Sequence, residues 1–249
     1  MAMTVPTWFL KDSRAALQAG PLTATLDLAR PALGLGAVRC HGQPLAMALL
    51  ALETPASAQL DGSSLLEGYV QRDNLVASYG ESAGWPVRVD GRWRADAEGP
   101  AAVLDLVVSV RTSLLDSLPE MAVRNTVTAS SVMVSVDSGR FEPWSIDRGP
   151  DARRGRPQRL GCVLFRLPGD AWSCAAMVHP ADFARAEMTA GTGEPGALRL
   201  AYHLFSQRLE KGVILRARVR CLLAPRDEDL SFAAAHYASF LAAEPPLGL

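Results

Sequence analysis

The run Val103-Leu104-Asp105-Leu106-Val107-Val108-Ser109-Val110-Arg111 places apolar side chains at every even position, with Asp105, Ser109 and Arg111 on the odd ones. A period of two marks a strand with one face on a core. Only Val103 and Val107 break the pattern. Further along, Val123 to Asp137 keeps the period but changes phase: Val123, Val127 and Ala129 are apolar at odd positions, then Val132, Val134 and Val136 at even ones. A one-residue slip would turn a whole apolar face to solvent, so the phase change predicts a β-bulge or a break into two strands near Ala129 to Ser131.

Turn chemistry suggests two hairpins around this centre. Asp90-Gly91 separates Pro86 to Val89 from Arg92 to Ala95 and suits a two-residue loop, in a register that sets Arg88 opposite Trp93. Lys211-Gly212 separates Leu198 to Leu209 from Val213 to Leu223. A two-residue loop there pairs Leu204 with Val219 and Tyr202 with Cys221, which makes the apolar faces agree. Leu22 to Leu28, Leu45 to Leu52, Leu75 to Tyr79, Leu160 to Leu167 and Ala171 to Val178 read as further strands. No strand is followed by a capped amphipathic helix of about 12 residues, which a parallel βαβ crossover needs. The expectation is an all-β protein, a large antiparallel β-sandwich, with one C-terminal helix over about 229–243. That helix carries Leu230, Ala234, Tyr237 and Leu241 at helical spacing, has Asp227 or Asp229 to cap its start, and is stopped by Pro245-Pro246.

The chain has 249 residues, 49% of them hydrophobic and 20% charged, with a formal net charge of -1. This is enough apolar material for a sizeable core. The balanced charge argues against a nucleic-acid partner, which calls for an excess of cations. No apolar run approaches the roughly 18 residues of a membrane-spanning helix, and the longest, Pro44 to Leu52, is about half that. The N-terminus shows no basic and apolar secretory pattern. Cys40, Cys162, Cys174 and Cys221 are scattered without a C-x-x-C, as expected of free thiols in a cytoplasmic protein. Strands from Leu22 to Leu223 without an obvious linker predict one domain over 1–249. Residues 138–158, with five arginines and no apolar period, read as a surface excursion, either a lid or a disordered loop.

Two motifs match on letters alone. Gly80-Glu81-Ser82-Ala83-Gly84 fits the G-x-S-x-G nucleophile elbow, but Trp85-Pro86 leaves no room for the helix that the elbow requires. Gly191-Thr192-Gly193-Glu194-Pro195-Gly196 fits G-x-G-x-x-G, but Pro195 and the strand after it deny a dinucleotide site. His41, His179, His203 and His236 show no metal-ligand spacing, so neither a metal nor a cofactor is expected. The register proposed for the last hairpin leaves Arg199, His203, Phe205 and Gln207 on one face with Arg216, Arg218 and Arg220. Guanidinium forks beside a histidine suit a carboxylate, phosphate or acidic sugar. Trp85, Arg88 and Trp93 offer aromatic plates beside cations, suited to sugar rings. His179, before Pro180, is a further candidate ligand or proton donor.

With many strands, long ones in the middle, and Trp, Arg and His on polar faces, the stretch from Leu22 to Leu223 resembles the supersandwich of the galactose-mutarotase-like superfamily. That resemblance implies a concave sheet facing carbohydrate. The superfamily's mutarotases use a histidine acid, a glutamate base and an Asn-His motif; here neither Asn74 nor Asn125 precedes a histidine, which argues against sugar epimerisation. The expectation is therefore a protein of carbohydrate-binding type, with an acidic or neutral sugar or another small anion as ligand. The alternatives are an epimerase or lyase that exchanges a proton at His179 or His203 near Arg199 and Arg218, and a structural or oligomerisation protein. The sequence does not fix the oligomeric state.

Overall fold

In the computed structural model, which describes residues 7–55, 60–82, 84–137, 139–144, 160–191 and 194–244, the alternating runs become three antiparallel sheets. Five short strands, β1 (Trp8–Lys11), β2 (Arg14–Ala19), β3 (Leu22–Asp27), β4 (Gly36–Cys40) and β5 (Gln43–Pro44), form a meander in chain order. A four-stranded sheet takes β6 (Met47–Glu53), β11 (Met121–Thr128), β17 (Ala197–Leu204) and β16 (Arg185–Ala190), in that lateral order.

The third sheet has nine strands. They are β7 (Leu65–Gln71), β8 (Asn74–Tyr79), β9 (Arg88–Glu98), β10 (Ala101–Arg111), β18 (Leu215–Pro225), β15 (Trp172–Val178), β14 (Cys162–Arg166), β12 (Ser131–Asp137) and β13 (Arg140–Trp144), again in lateral order. Leu35 and Leu49 exchange backbone hydrogen bonds of 2.7 and 3.0 Å and join the two smaller sheets into one layer. The inward residues of that layer and of the nine-stranded sheet share one buried cluster.

Leu104, Leu106, Val108 and Val110 of β10 are buried between these layers. Val103 points the other way, into a second cluster with Leu164, Met177 and Leu222 beneath α1 (Asp229–Ala242). Its break in the alternation therefore has a cause, because β10 is covered on both sides. Tyrosines link the layers across the main core. Tyr202 Oη donates to Ala176 O at 3.0 Å, and Tyr79 Oη donates to Leu28 O at 2.9 Å. Each phenol is buried with a partner, as a buried hydroxyl requires.

The phase change at 129–131 is a break between strands: β11 ends at Thr128 and β12 begins at Ser131 in another sheet. Both proposed hairpins are corrected. Asp90-Gly91 lies inside β9, and a Cβ on Gly91 would stand 2.6 Å from the Trp93 indole. This glycine makes room for the ring, and no turn forms. Arg88 pairs with Arg111, and Trp93 with Leu106 and Leu75. β17 and β18 do not pair: Leu204 lies beside Met121 and Tyr202 beside Val123, in the sheet opposite β18. Strands also begin earlier than Leu22, at Trp8. Arg140–Trp144 pairs with β12, and residues 145–158 of the expected excursion lie outside the described residues.

The helix occupies the expected span but turns a different face inward. Asp229, Ala233, Tyr237 and Phe240 are buried, while Leu230 is exposed and Ala234 and Leu241 are half-buried. Asp229 makes no cap. It receives Arg166 Nε at 3.0 Å and Ser173 Oγ at 2.7 Å, an anchor between helix and sheet. Pro245-Pro246 lie outside the described residues. No helix among the described residues is long and apolar enough to cross a membrane.

One irregularity sets the register of the four-stranded sheet. Arg124 pairs with Ala51, but Thr126 pairs with Ala48, so β6 carries one extra residue opposite Asn125. Leu50 sits at φ 55 in this bulge, and its N–H donates to the buried Asn125 Oδ1 at 2.9 Å. The Cys221 thiol also donates to Oδ1, at 3.3 Å.

Two stability predictions follow from these contacts. Asn125→Ala leaves the buried Leu50 N–H without an acceptor and should cost about 1–3 kcal/mol in urea unfolding. Parental stability in that variant would show that packing alone holds the bulge. Tyr202→Phe should cost about 1 kcal/mol, and Tyr79→Phe a similar amount, with the two losses adding in the double variant because the sites share no partner.

Candidate functional site

The outward face of the four-stranded sheet forms the floor of a cleft of about 830 Å³. Its position follows from the alternation: Val123, Leu200 and Tyr202 point into the core, so Ala122, Arg124, Arg199 and His203 point out. Register then aligns Glu53, Ala122, His203 and Arg185 in one row across β6, β11, β17 and β16. Glu53 and His203 are two strands apart, about 10 Å at the backbone, and the only side chain between them in the row is a methyl group. The row thus has a shallow well over Ala122 with polar groups on either side.

Glu53 is the electrostatic centre. Arg199 Nη2 donates to its two oxygens at 2.9 and 2.8 Å, and Arg124 Nη1 donates to Oε1. Arg124 Nη2 also donates to Ala32 O at 2.6 Å, which ties the floor to the 3-10 turn Pro31–Leu33 on the cleft wall. Arg199 uses only Nη2 in these contacts, so its Nε and Nη1 protons remain available. Glu120, exposed at the cleft mouth one row from Ala122, has no side-chain partner among the described residues.

His203 is held by β16. Arg185 Nη2 lies 3.2 Å from Nδ1, and because a guanidinium only donates, Nδ1 accepts and the ring proton resides on Nε2. Nε2 is buried without a hydrogen-bond partner, 3.7 Å from Glu187 Oε2. Burial, and next the Arg185 charge, hold His203 below the ordinary imidazole value, while Glu187 and Glu53 offset part of that effect. The histidine is therefore held toward its neutral form, with its Nε2 edge turned to Glu187 and its Nδ1 edge to Arg185.

Of the residues marked from the sequence, the structure brings Arg199, His203 and Phe205 into this cleft. Arg218 and Arg220 lie on the far side of the nine-stranded sheet. There Arg218 Nε donates to Asp182 at 3.1 Å, and its Nη1 donates to the carbonyls of Ala243 and Glu244. Arg220 forms a bidentate pair with Asp105 at 2.7 and 2.9 Å, and both guanidiniums lie over the Phe240 ring. These two arginines hold the helix. Arg216 shares their face, opposite Ser109.

Trp85 and Trp93 are buried and present no plate to a ligand. Arg88 faces outward on β9, 3.6 Å from Asp90 and 3.8 Å from Glu67. His179 lies past the end of β15, where Nδ1 accepts the Ala181 N–H at 3.2 Å. Glu53, Arg124, Arg185 and Glu120 were not marked. Arg124 and Arg185 had a visible signal, the outward phase of their strands, but Glu53 did not, because the bulge resets the phase of β6.

The elbow motif resolves into a bridge between Ser82 and Trp85, with no helix after it. Thr192 and Gly193 of the other glycine motif lie outside the described residues. All four cysteines are buried free thiols. Among the described residues no group of three or more acidic, histidine or cysteine side chains is placed to hold a metal.

No protein-family model matches the chain, and no curated protein sequence matches it. Solved structures do. YeaD from Salmonella typhimurium, a candidate mutarotase, superposes with a TM-score of 0.54 at 9% identity over 91% of this chain and 96% of its own. Slr1438 from Synechocystis sp. PCC 6803 superposes with a TM-score of 0.56 at 9% identity over 90% and 99%. A galactose mutarotase related enzyme from Lactobacillus acidophilus gives 0.48 at 7% identity over 85% and 97%. The architecture thus resembles the antiparallel β-sandwich of these mutarotase-like proteins, a likeness of fold alone.

The state of His203 can be checked directly. Long-range nitrogen-proton NMR should show the Nε2–H tautomer and a midpoint below 6.5. Because the folded state resists the proton that the unfolded chain accepts, stability contributed by this residue falls as pH drops below 6.5 toward that midpoint. In His203→Asn this part of the acid-side loss should vanish. A midpoint at or above 6.5 would contradict the assignment.

Proposed function

We propose that the chain binds a sugar-sized, polyhydroxylated ligand, neutral or carrying a carboxylate, in the cleft over Ala122. The observation that carries this reading is the row Glu53, Ala122, His203 and Arg185, with the free protons of Arg199 as donors and Glu120 as an open acceptor in the same cleft. Sugars present hydroxyl groups that both donate and accept, and a site with fixed groups of both kinds matches them. A single phosphate or sulfate would use only the donors and leave Glu120 repelling it. The fold agrees, since the similar solved structures include a candidate mutarotase.

A second reading, proton exchange on the bound sugar, is favoured by one feature. Glu120, exposed at the cleft mouth just before β11, has no side-chain partner among the described residues. A free carboxylate of that kind suits ring opening of a hemiacetal, taking the proton of the anomeric hydroxyl and returning it to the ring oxygen as the C–O bond breaks.

One experiment addresses both readings. Calorimetric titration with D-glucose, D-galactose and their uronates should show saturable binding at millimolar concentration. Arg199→Ala should weaken it about tenfold, the effect of losing one directed hydrogen bond to a polar ligand, and His203→Ala, which removes part of the cleft lining, should weaken it by a smaller factor. Absence of saturable binding up to about ten times that range, or binding indifferent to both substitutions, would refute the site. Polarimetry of freshly dissolved aldose decides the second reading: acceleration lost in Glu120→Gln supports it, and an unchanged spontaneous rate removes it.

A further inference from the structure

The cleft is larger than its polar floor needs. A hexose fills roughly 150–200 Å³, less than the roughly 300–1,000 Å³ of ordinary ligand pockets, whereas the cleft measures about 830 Å³. The remaining space is lined on one side by a different chemistry. Around the 3-10 turn Pro31–Leu33 and after β6, Ala29, Ala32, Leu33, Pro55 and Leu60 face the cavity, with Arg30, Thr54 and Asp61 beside them. Leu33 stands 54% exposed there, a large apolar side chain in water beside a charged floor. A single exposed leucine is ordinary, but one continuous with an apolar wall inside a cleft marks a surface that gains by being covered.

The wall is also fixed in place. Gly34, at φ 69, ends the turn, and a Cβ there would stand 2.5 Å from Leu49 O, so this backbone is packed directly on the bulge. Arg124 Nη2 holds Ala32 O from the floor side. The apolar wall and the polar floor therefore keep one geometry, and a ligand that met both would need an apolar part joined to a polar part at a set offset.

We infer that the cleft takes an amphipathic glycoside: a sugar over Ala122, with its apolar aglycone against Leu33 and Pro55. This rests on the sugar-binding reading above and adds the substrate class. Covering Leu33 and Pro55 removes apolar surface on both partners from water, and the gain falls only to sugars that carry the substituent.

The test compares probes that share a sugar and differ in the aglycone: methyl and phenyl β-D-glucopyranoside and β-D-galactopyranoside, with the free hexoses as reference, titrated by calorimetry against the full chain. The phenyl glycoside of the sugar that binds should be about tenfold tighter than its methyl counterpart. In Leu33→Ser, a change at an exposed position, that advantage should shrink to about twofold or less while affinity for the free hexose stays unchanged. If hexose binds but the phenyl glycoside is no tighter than the methyl one, the aglycone inference fails and the sugar reading stands. If the advantage survives Leu33→Ser, the apolar part lies elsewhere and the inference fails again. If no hexose or glycoside saturates, both fall together.

Discussion

The bulge at Leu49 and Leu50 is the constraint on which the rest of the molecule depends. Before it, Met47 and Leu49 point inward; after it, Leu52 does, so the extra residue reverses the faces of β6. Without that reversal Glu53 would point into the core and Arg124 and Arg199 would face each other without a carboxylate. The same two residues connect the sheets. Leu49 pairs with Leu35 across the seam between the five- and four-stranded sheets, and its carbonyl is the surface on which Gly34 packs. A positive φ at a leucine is costly, and such a conformation persists only where its surroundings hold it. Asn125 supplies the hold by accepting the Leu50 N–H from the next strand.

A second constraint acts on the opposite layer. The ends of β10 and β18 beneath α1, Ala101 and Val103 on one and Leu222 and Ala224 on the other, are apolar on both faces because the helix covers the side turned away from the main core. Charges that cross this second interface are paired where they cross. Asp105 meets Arg220, Asp182 meets Arg218, and Asp229 meets Arg166. The aromatic ring of Phe240 lies against two of these cations, so the guanidiniums serve as packing surface as well as charge. Arg218 and Arg220 of β18 are therefore accounted for by the helix and the carboxylates beside it.

Alternation was legible in the sequence because it is a property of one strand at a time. It told which residues of β10, β11 and β17 face the core, and so put Arg199 and His203 on an outward face. It could not tell which strand lies alongside. Tyr202 and Cys221 satisfy the same inward pattern whether they are lateral neighbours or face each other across the sandwich, and the structure takes the second arrangement. Gly91 misled for a related reason. Removing a side chain serves a tight turn, but it serves equally to admit the Trp93 ring two residues on. Glu53 was illegible because its direction is set by a bulge whose cause, Asn125, sits 75 residues further along the chain from Leu50.

The locked state of Glu53 bears on how the cleft can work. A carboxylate that accepts from two guanidiniums is fully engaged and is a poor partner for an incoming hydroxyl. Its effect is on Arg199, whose side chain would otherwise lose rotamer freedom on meeting a ligand, at about 0.5–1.5 kcal/mol. Arg185 does the same for His203 by fixing both the ring and its proton. The ordering of these donors is thus completed during folding, and what remains for the ligand is to displace water from a well floored by a methyl group. Glu120 is different, since nothing among the described residues orders it, and a ligand that engages it bears that cost itself. In the proposed function, contacts to Arg199 should therefore set where a sugar sits, with Glu120 responding to what has already been placed.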